Sequence, residues 1–351
     1  AEKACQQGHD VIVSVYNSQS TATRNLFKNS NLKIYSRPSF TGATLKKKIT
    51  GRIQEKLIGW RYNHFFQVVE PDAYIISCGG LAELGVKRNQ TQITNVTRPY
   101  VIIIQNNTEN WVFEKHNMNT VSGILQRAAQ VFFVSHRLQE QAERQLGMTF
   151  KNASLVANPI KKANVTKLPQ GDVVNAAFIG TSDLKVKGLG LLIQAMSHKI
   201  WHDRKVLINV YGEGIHEREI KILIDKFGVG NKFSIHGWMD NMDDVWAKNQ
   251  ALISTSFNEG LPLVIQEAMM RGRIVIATDV GGTAEIITDG VDGYLAEAAS
   301  LSYVLKALER WWGDHEKWEG IGEKSAQRVR VFHETLPQGL AVLEALIETD
   351  D

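Results

Sequence analysis

The 351 residues are 43% hydrophobic, enough to bury two packed domains rather than one. A formal charge of +3 gives no global drive toward nucleic acid, and no apolar run is long enough to cross a membrane. The two cysteines, Cys5 and Cys78, fit no metal or disulfide spacing; they read as reduced core thiols, which suits a cytoplasmic protein.

In chain order, the first residues read as the second half of a helix closed by Gly8, so a strand and its turn are expected before Ala1. Strand-like runs follow at 11–16, 32–35, 73–77, 100–104 and 130–135, with a short one at 152–157. Helical patterns fall at 45–59, 119–129 and 136–146. Continuous apolar strands between helices imply a parallel sheet covered on both faces. Residues 1–160 are therefore expected as one Rossmann-like domain, and the polar stretch 161–171, with Pro169 and Gly171, as a linker.

The alternation restarts over 172–332. Strands are expected at 173–179, 206–211, 232–236, 251–254, 274–278 and 293–296. Helices are expected at 189–197, 216–227, 243–248, 284–287, 302–312 and 318–332. After Pro337 a final helix over 338–348 is expected to cross back to the first domain, within a closing segment 333–351. The fold class is α/β, with two doubly wound domains whose strand C-termini face one cleft, where ligands bind.

The most informative stretch is FNEGLPLVIQEAMM, residues 257–270. A strand runs into a tight turn at Asn258-Glu259-Gly260, and Pro262 stands where a first helical turn tolerates proline. A helix that starts after such a turn offers free N–H groups and a positive dipole end to an anion. Glu259 lies beside that start and Glu267 two turns further in. One anion cradle and two carboxylates suit a ligand with a diphosphate and several hydroxyls.

Together with Arg271-Gly272, the run 274–282 ending in Gly281-Gly282, and Glu285, this stretch closely resembles the family 4 retaining glycosyltransferases of GT-B fold. Phe178-Ile179-Gly180 followed by Lys187-Gly188, the run 210–214, and Ser234-Ile235-His236-Gly237 resemble further strand ends of that family's nucleotide domain. The resemblance implies that Glu267 accepts hydrogen bonds from ribose hydroxyls, Glu259 holds the donor sugar, and the backbone of Gly260 and Leu261 binds the diphosphate. It implies that Lys187 neutralises the departing nucleotide diphosphate, that His236 and Gly237 lie by the base, and that no metal or other cofactor is required. The donor is then a UDP- or GDP-sugar. An arginine usual in the family after Gly180 is absent: Thr181-Ser182-Asp183 stand there, so Lys185 and the hydroxyl of Thr181 become candidate phosphate contacts. Asp240, Asp243 and Asp244 read as caps of the next helix rather than as metal ligands.

On the acceptor side, Gln105 and Asn106 end a buried strand where the family has a histidine, and Gly79 and Gly80 end the strand before it. Between 24 and 61 the chain carries Arg24, Lys28, Lys33, Arg37, Lys46, Lys47, Lys48, Arg52, Lys56 and Arg61 against the single acid Glu55. Leu45, Ile49, Ile53, Leu57 and Trp60 recur there at helical spacing. Such a helix either packs its stripe on the sheet or lies, through 44–66, on an anionic membrane surface. In the second case the protein is peripheral on the inner face of the membrane and its glycan acceptor is lipid-linked. Two other activities fit the same donor site: a nucleotide-sugar epimerase and a non-catalytic sugar-nucleotide-binding module. A nicotinamide dehydrogenase is disfavoured, because no intact Gly-x-Gly-x-x-Gly follows a strand.

Overall fold

The computed structural model describes residues 12–17, 33–38, 71–109, 112–181 and 183–336. The expected opening half-helix, the basic helix, the membrane-facing segment 44–66, the closing helix over 338–348 and Cys5 lie outside the described residues.

In the first half β1 (Ile12–Asn17) and β2 (Lys33–Pro38) pair in parallel. Then come β3 (Tyr74–Cys78), α1 (Leu81–Leu84), α2 (Lys87–Thr94), β4 (Tyr100–Ile104), α3 (Lys115–Arg127), β5 (Gln130–Phe133), α4 (His136–Leu146) and β6 (Ala153–Leu155). The four strands pair in parallel in the order β3-β4-β5-β6. In the second half come β7 (Val174–Ile179), α5 (Leu189–Met196), β8 (Val206–Tyr211), α6 (Glu217–Lys226), β9 (Phe233–Gly237) and α7 (Met242–Lys248). They are followed by β10 (Ala251–Ser254), α8 (Leu263–Met270), β11 (Ile274–Thr278), α9 (Thr283–Ile286), β12 (Tyr294–Ala296), α10 (Leu301–Gly313) and α11 (Trp318–Thr335).

The second sheet is six-stranded and parallel, in the order β12-β11-β10-β7-β8-β9. Chain order runs outward from β7 to β9, then returns to the other side of β7 at β10. That reversal makes the β7–β10 border a topological switch point, where adjacent loops part and leave a crevice beyond the strand C-termini. The loops leaving β7 and β10 carry Lys187 and Glu259.

Local chemistry accounts for the elements the sequence reading missed or misplaced. The helices α1 and α2 occupy a stretch where none was expected. The helix α2 is polar and rich in β-branched residues, and the Thr91 and Thr94 hydroxyls bond back to the Lys87 and Gln90 carbonyls. Its apolar stripe is therefore too thin to read. Pro262 is the cap residue before α8, with ψ of 116°, rather than part of its first turn. Asn241, whose side chain accepts from the Asp243 amide, caps α7 in place of the expected aspartates. Asp243 instead pairs with the buried guanidinium of Arg271 at 2.6 Å, which holds its carboxyl below the usual range.

One apolar cluster runs from the first sheet (Ile102, Phe133, Leu138) into the second half (Leu252, Leu261, Ile265, Val275). A second fills the other face of the six-stranded sheet, around stacked Trp201, Trp311 and Trp318. The connecting stretch 161–171 contains no helix or strand and is tied to the second half. Thr166 accepts from fully buried Arg273, and the Pro169 carbonyl accepts from Gln250. Burial with Arg271 nearby brings the Arg273 guanidinium down to about 10.

Gly188 sits at φ +68°, and a Cβ there would lie 2.0 Å from the Thr255 carbonyl oxygen. The loop after β7 is therefore pressed against the end of β10. We expect Gly188→Ala to destabilise the protein by at least about 2 kcal/mol, from left-handed strain plus overlap. Gly313→Ala, where a Cβ meets nothing within 4 Å, is the control. Equal denaturant midpoints for the two variants would remove the close approach as the reason for Gly188.

Candidate functional site

The site grows from the two loops at the switch point. Beyond β7 the amide of Gly180 donates to the Tyr211 carbonyl. A Cβ at Gly180 would come within 3.2 Å of the Lys187 stem, so the glycine leaves room for that side chain. The Lys187 Nζ donates to Glu259 Oε1 at 2.7 Å, and the Ser256 hydroxyl donates to the same oxygen at 2.7 Å. Ser256 is itself buried, and its carbonyl accepts from the Thr278 hydroxyl on β11. The carboxylate is only 12% exposed and the lysine 24%, so solvent screens the pair weakly. With Oε1 doubly occupied, Oε2 is left without a donor among the described residues.

Glu267 lies one and a half turns into α8. It is half-buried, and its carboxylate makes no hydrogen bond or ion pair among the described residues. Burial pushes its pKa up, against the opposing field of Arg271. The amides of Gly260 and Leu261 likewise have no acceptor among the described residues, while the Gly260 carbonyl accepts from Gly282. Unpaired polar groups at the mouth of a crevice are what a polar ligand would satisfy.

The other expected residues divide into two groups. Lys185 is exposed and makes no side-chain ion pair among the described residues; only its amide is engaged, by Asp183. Thr181 is exposed, and its hydroxyl has no partner among the described residues. His236 stacks on Tyr211 at 4.8 Å, and its Nε2 meets Asn209 Oδ1 at 2.8 Å; burial and Lys248 lower its pKa. Gly237 follows at φ +72° and accepts from Gly212. Among the described residues, no cluster of three His, Cys, Asp or Glu could hold a metal ion.

The acceptor-side candidates meet the donor-side turn directly. A Cβ at Gly260 would lie 1.8 Å from the Gln105 carbonyl oxygen and 3.3 Å from the Asn106 Cα. Gln105 itself accepts from Asn158, and the Asn106 side chain accepts from the Asn107 amide. Gly79 donates its amide to Glu83, and Gly80 lies against the Asn106 carbonyl. The structure thus brings Gln105 and Asn106 to the crevice and occupies Gly79 with a local cap. Cys78 is buried without a disulfide, and burial with nearby Glu83 raises its thiol to about 12.

Sequence reading left Glu285 without a role. Its two carboxylate oxygens accept from the first-turn amides of α4, His136 at 3.0 Å and Arg137 at 2.9 Å. Arg137 in turn pairs with Asp279 at 2.7 Å and with Glu109 at 3.2 Å. A carboxylate from the second half thus caps a helix of the first, at its positive end. Nothing in the sequence pairs Glu285 with His136, 149 positions away.

These features define a GT-B architecture: two Rossmann-like units around a crevice at strand C-termini. Residues 174–314 match the family model described as Glycosyl transferases group 1. An uncharacterized 41.2 kDa protein in the cps region of Klebsiella pneumoniae is 29% identical over 177 residues, 49% of this chain and 46% of that protein. The poly(glycerol-phosphate) alpha-glucosyltransferase of Bacillus subtilis is 27% identical over 147 residues, 41% of this chain and 22% of that protein. The chain thus spans less than half the length of these relatives. The crystal structure of Anabaena HepE in complex with UDP-glucose superposes with a TM-score of 0.70 at 16% identity, covering 96% of this chain and 90% of that one.

Charge-assisted hydrogen bonds of the Glu285 kind contribute about 1.5–3 kcal/mol each. In Glu285→Ala we therefore expect hydrogen exchange at the His136 and Arg137 amides to accelerate by about tenfold or more. Unchanged exchange at both would mean that the carboxylate does not hold the two halves.

Proposed function

We propose that this chain is a retaining glycosyltransferase of family 4 type. It moves a sugar from a nucleotide diphosphate sugar, with UDP or GDP as carrier, to a hydroxyl of a glycan or glycolipid acceptor, in bacterial surface polysaccharide synthesis. The observation that carries this reading is the pair of carboxylates around α8. One is held by Lys187 and Ser256, and the other is half-buried and unpaired. The match over 174–314 and relatives named for glucosyl transfer and for a cps region support it.

In this reading Glu267 takes the two ribose hydroxyls, which a carboxylate accepts side by side. The free amides of Gly260 and Leu261 meet the diphosphate. An incoming diphosphate competes with Glu259 for the Lys187 ammonium. The lysine then neutralises charge as it develops on the leaving group, where it lowers the barrier most. Release of Lys187 frees Glu259 for the sugar hydroxyls. Departure and attack take place on one face of the sugar. No carboxylate acts as nucleophile, and cationic side chain plus amides serve in place of a metal. The two alternatives, an epimerase and a binding module, differ in needing no acceptor and in showing no turnover.

Calorimetric titration with UDP, GDP and ADP tests the donor half. Glu267→Ala is expected to weaken the bound nucleotide by ten- to a hundredfold, through loss of charged hydrogen bonds. Glu259→Ala is expected to lower turnover on the order of a hundredfold. It should leave nucleotide affinity equal or higher, since Lys187 then loses its competitor. A Glu267 variant that binds as tightly as the parent would sink the assignment.

The pH dependence has a defined sign. The Glu267 pKa lies above its ordinary value, and ribose hydroxyls bind the carboxylate form, so affinity drops as pH falls through that raised value. This component is present in the parent and absent in Glu267→Gln. Parallel pH profiles for the two proteins would contradict it.

A further inference from the structure

Between the two halves lies a small cavity of about 110 Å³. Asn107, Thr108, Glu109 and Gln141 line one side, and Phe257, Asn258, Glu259, Val280 and Gly281 the other. A single water needs roughly 10–15 Å³ of such space, so the cavity has room for a polar fragment of several atoms.

Gln141 is the anomaly. It is 4% exposed and lies on the buried face of α4, beside Leu138, Ala142 and Leu146. Its Nε2 is buried without a partner, and its side chain makes no hydrogen bond among the described residues. One turn further along α4, Gln145 is saturated. It accepts from Asn107 at 2.8 Å and donates to the Thr108 carbonyl at 2.8 Å and the Glu109 carbonyl at 3.3 Å. One glutamine thus ties the 107–109 loop to α4, while the other is left unpaired against the same cavity. A buried amide without a partner costs stability unless something else satisfies it.

The wall chemistry selects the ligand. The lining carries two carboxylates, Glu109 and Glu259, each paired from just outside it, with Arg137 and Lys187. The wall is thus close to neutral, and its acceptor oxygens and the Gln141 amide favour a neutral group rich in hydroxyls. Phe257 and Val280 supply apolar surface for C–H faces.

We propose that Gln141 reads a hydroxyl or ring substituent of the transferred sugar, across the cavity from Glu259, and so helps to determine which sugar the protein accepts. This rests on the transferase reading above. The nucleotide is held elsewhere, so loss of the Gln141 contact changes sugar handling and leaves nucleotide affinity alone.

The test compares the parent, Gln141→Met and Gln145→Met. Each is titrated with UDP, GDP and ADP, and assayed for nucleotide release from UDP-glucose, GDP-glucose and ADP-glucose. Thermal unfolding is followed without ligand. For Gln141→Met we expect nucleotide affinity within twofold of the parent and kcat/KM for the accepted conjugate lower by about tenfold. Its melting midpoint should be equal to or above the parent's, because an unpaired buried amide has been removed. Gln145→Met should lower the midpoint, since its amide is committed to the loop. An unchanged kcat/KM in Gln141→Met, or a lower midpoint with weaker nucleotide binding, overturns the proposal and leaves the transferase reading standing. A parent that binds none of the nucleotides overturns both.

Discussion

The site is organised by one charged contact, the Lys187 ammonium on Glu259 Oε1. It joins the loop after β7 to the loop after β10 at the only point in the six-stranded sheet where strand order reverses. Both groups are largely screened from solvent, so water does not dissolve the pair. The Ser256 hydroxyl shares the same oxygen, so the carboxylate is oriented before any ligand arrives. An ion pair with one oxygen committed and the other open is a poised arrangement. It holds the loop after β7 to the loop after β10.

Around that contact the backbone comes unusually close to itself. The Gly260 turn lies on the Gln105 carbonyl, Gly281 on the Glu259 carbonyl, and Gly282 on Ser135. Each approach excludes a Cβ; Gly260 on Gln105 and Gly282 on Ser135 bring the two halves together, while Gly281 on Glu259 is a contact within the second half. Glu285 completes the seam by capping α4, and Arg137 holds Asp279 and Glu109 beside it. The apolar cluster that crosses from Phe133 to Leu261 supplies the non-directional part of the same interface. Polar capping fixes the angle at which the halves meet, and apolar contact supplies area.

Several unpaired polar groups lie along this seam, on both sides of it. Glu267, the amides of Gly260 and Leu261, and the amide of Gln141 all lack partners among the described residues. Elsewhere comparable groups are engaged: Arg273 by Trp246 and Thr166, and Asn209 by Asn175, Asn249 and His236. Other buried atoms, among them Nε1 of Trp201, Trp246 and Trp311, also lack partners among the described residues; what sets Gln141 apart is that it lines a cavity.

The sequence by itself determined the α/β class, most strand positions and the stretch at 257–270, because those rest on local periodicity and on turn residues. The strands 100–104, 206–211, 251–254 and 274–278 were legible to the residue, since their apolar runs are bounded by proline, glycine, polar or charged residues. The helix α2 was not, because its polar surface and threonines carry no stripe. Lys187 and Glu259 were legible as members of a motif, but their direct pairing, 72 positions apart, was decided by the switch-point topology. Glu285 on α4 and the empty amide of Gln141 were decided wholly by how the two halves meet. A glutamine in place of an apolar residue on the 138–142–146 face was the one local trace of the second. Hydrogen-bond satisfaction is a property of three-dimensional neighbours, and no spacing along one chain reports which polar group will be left without one.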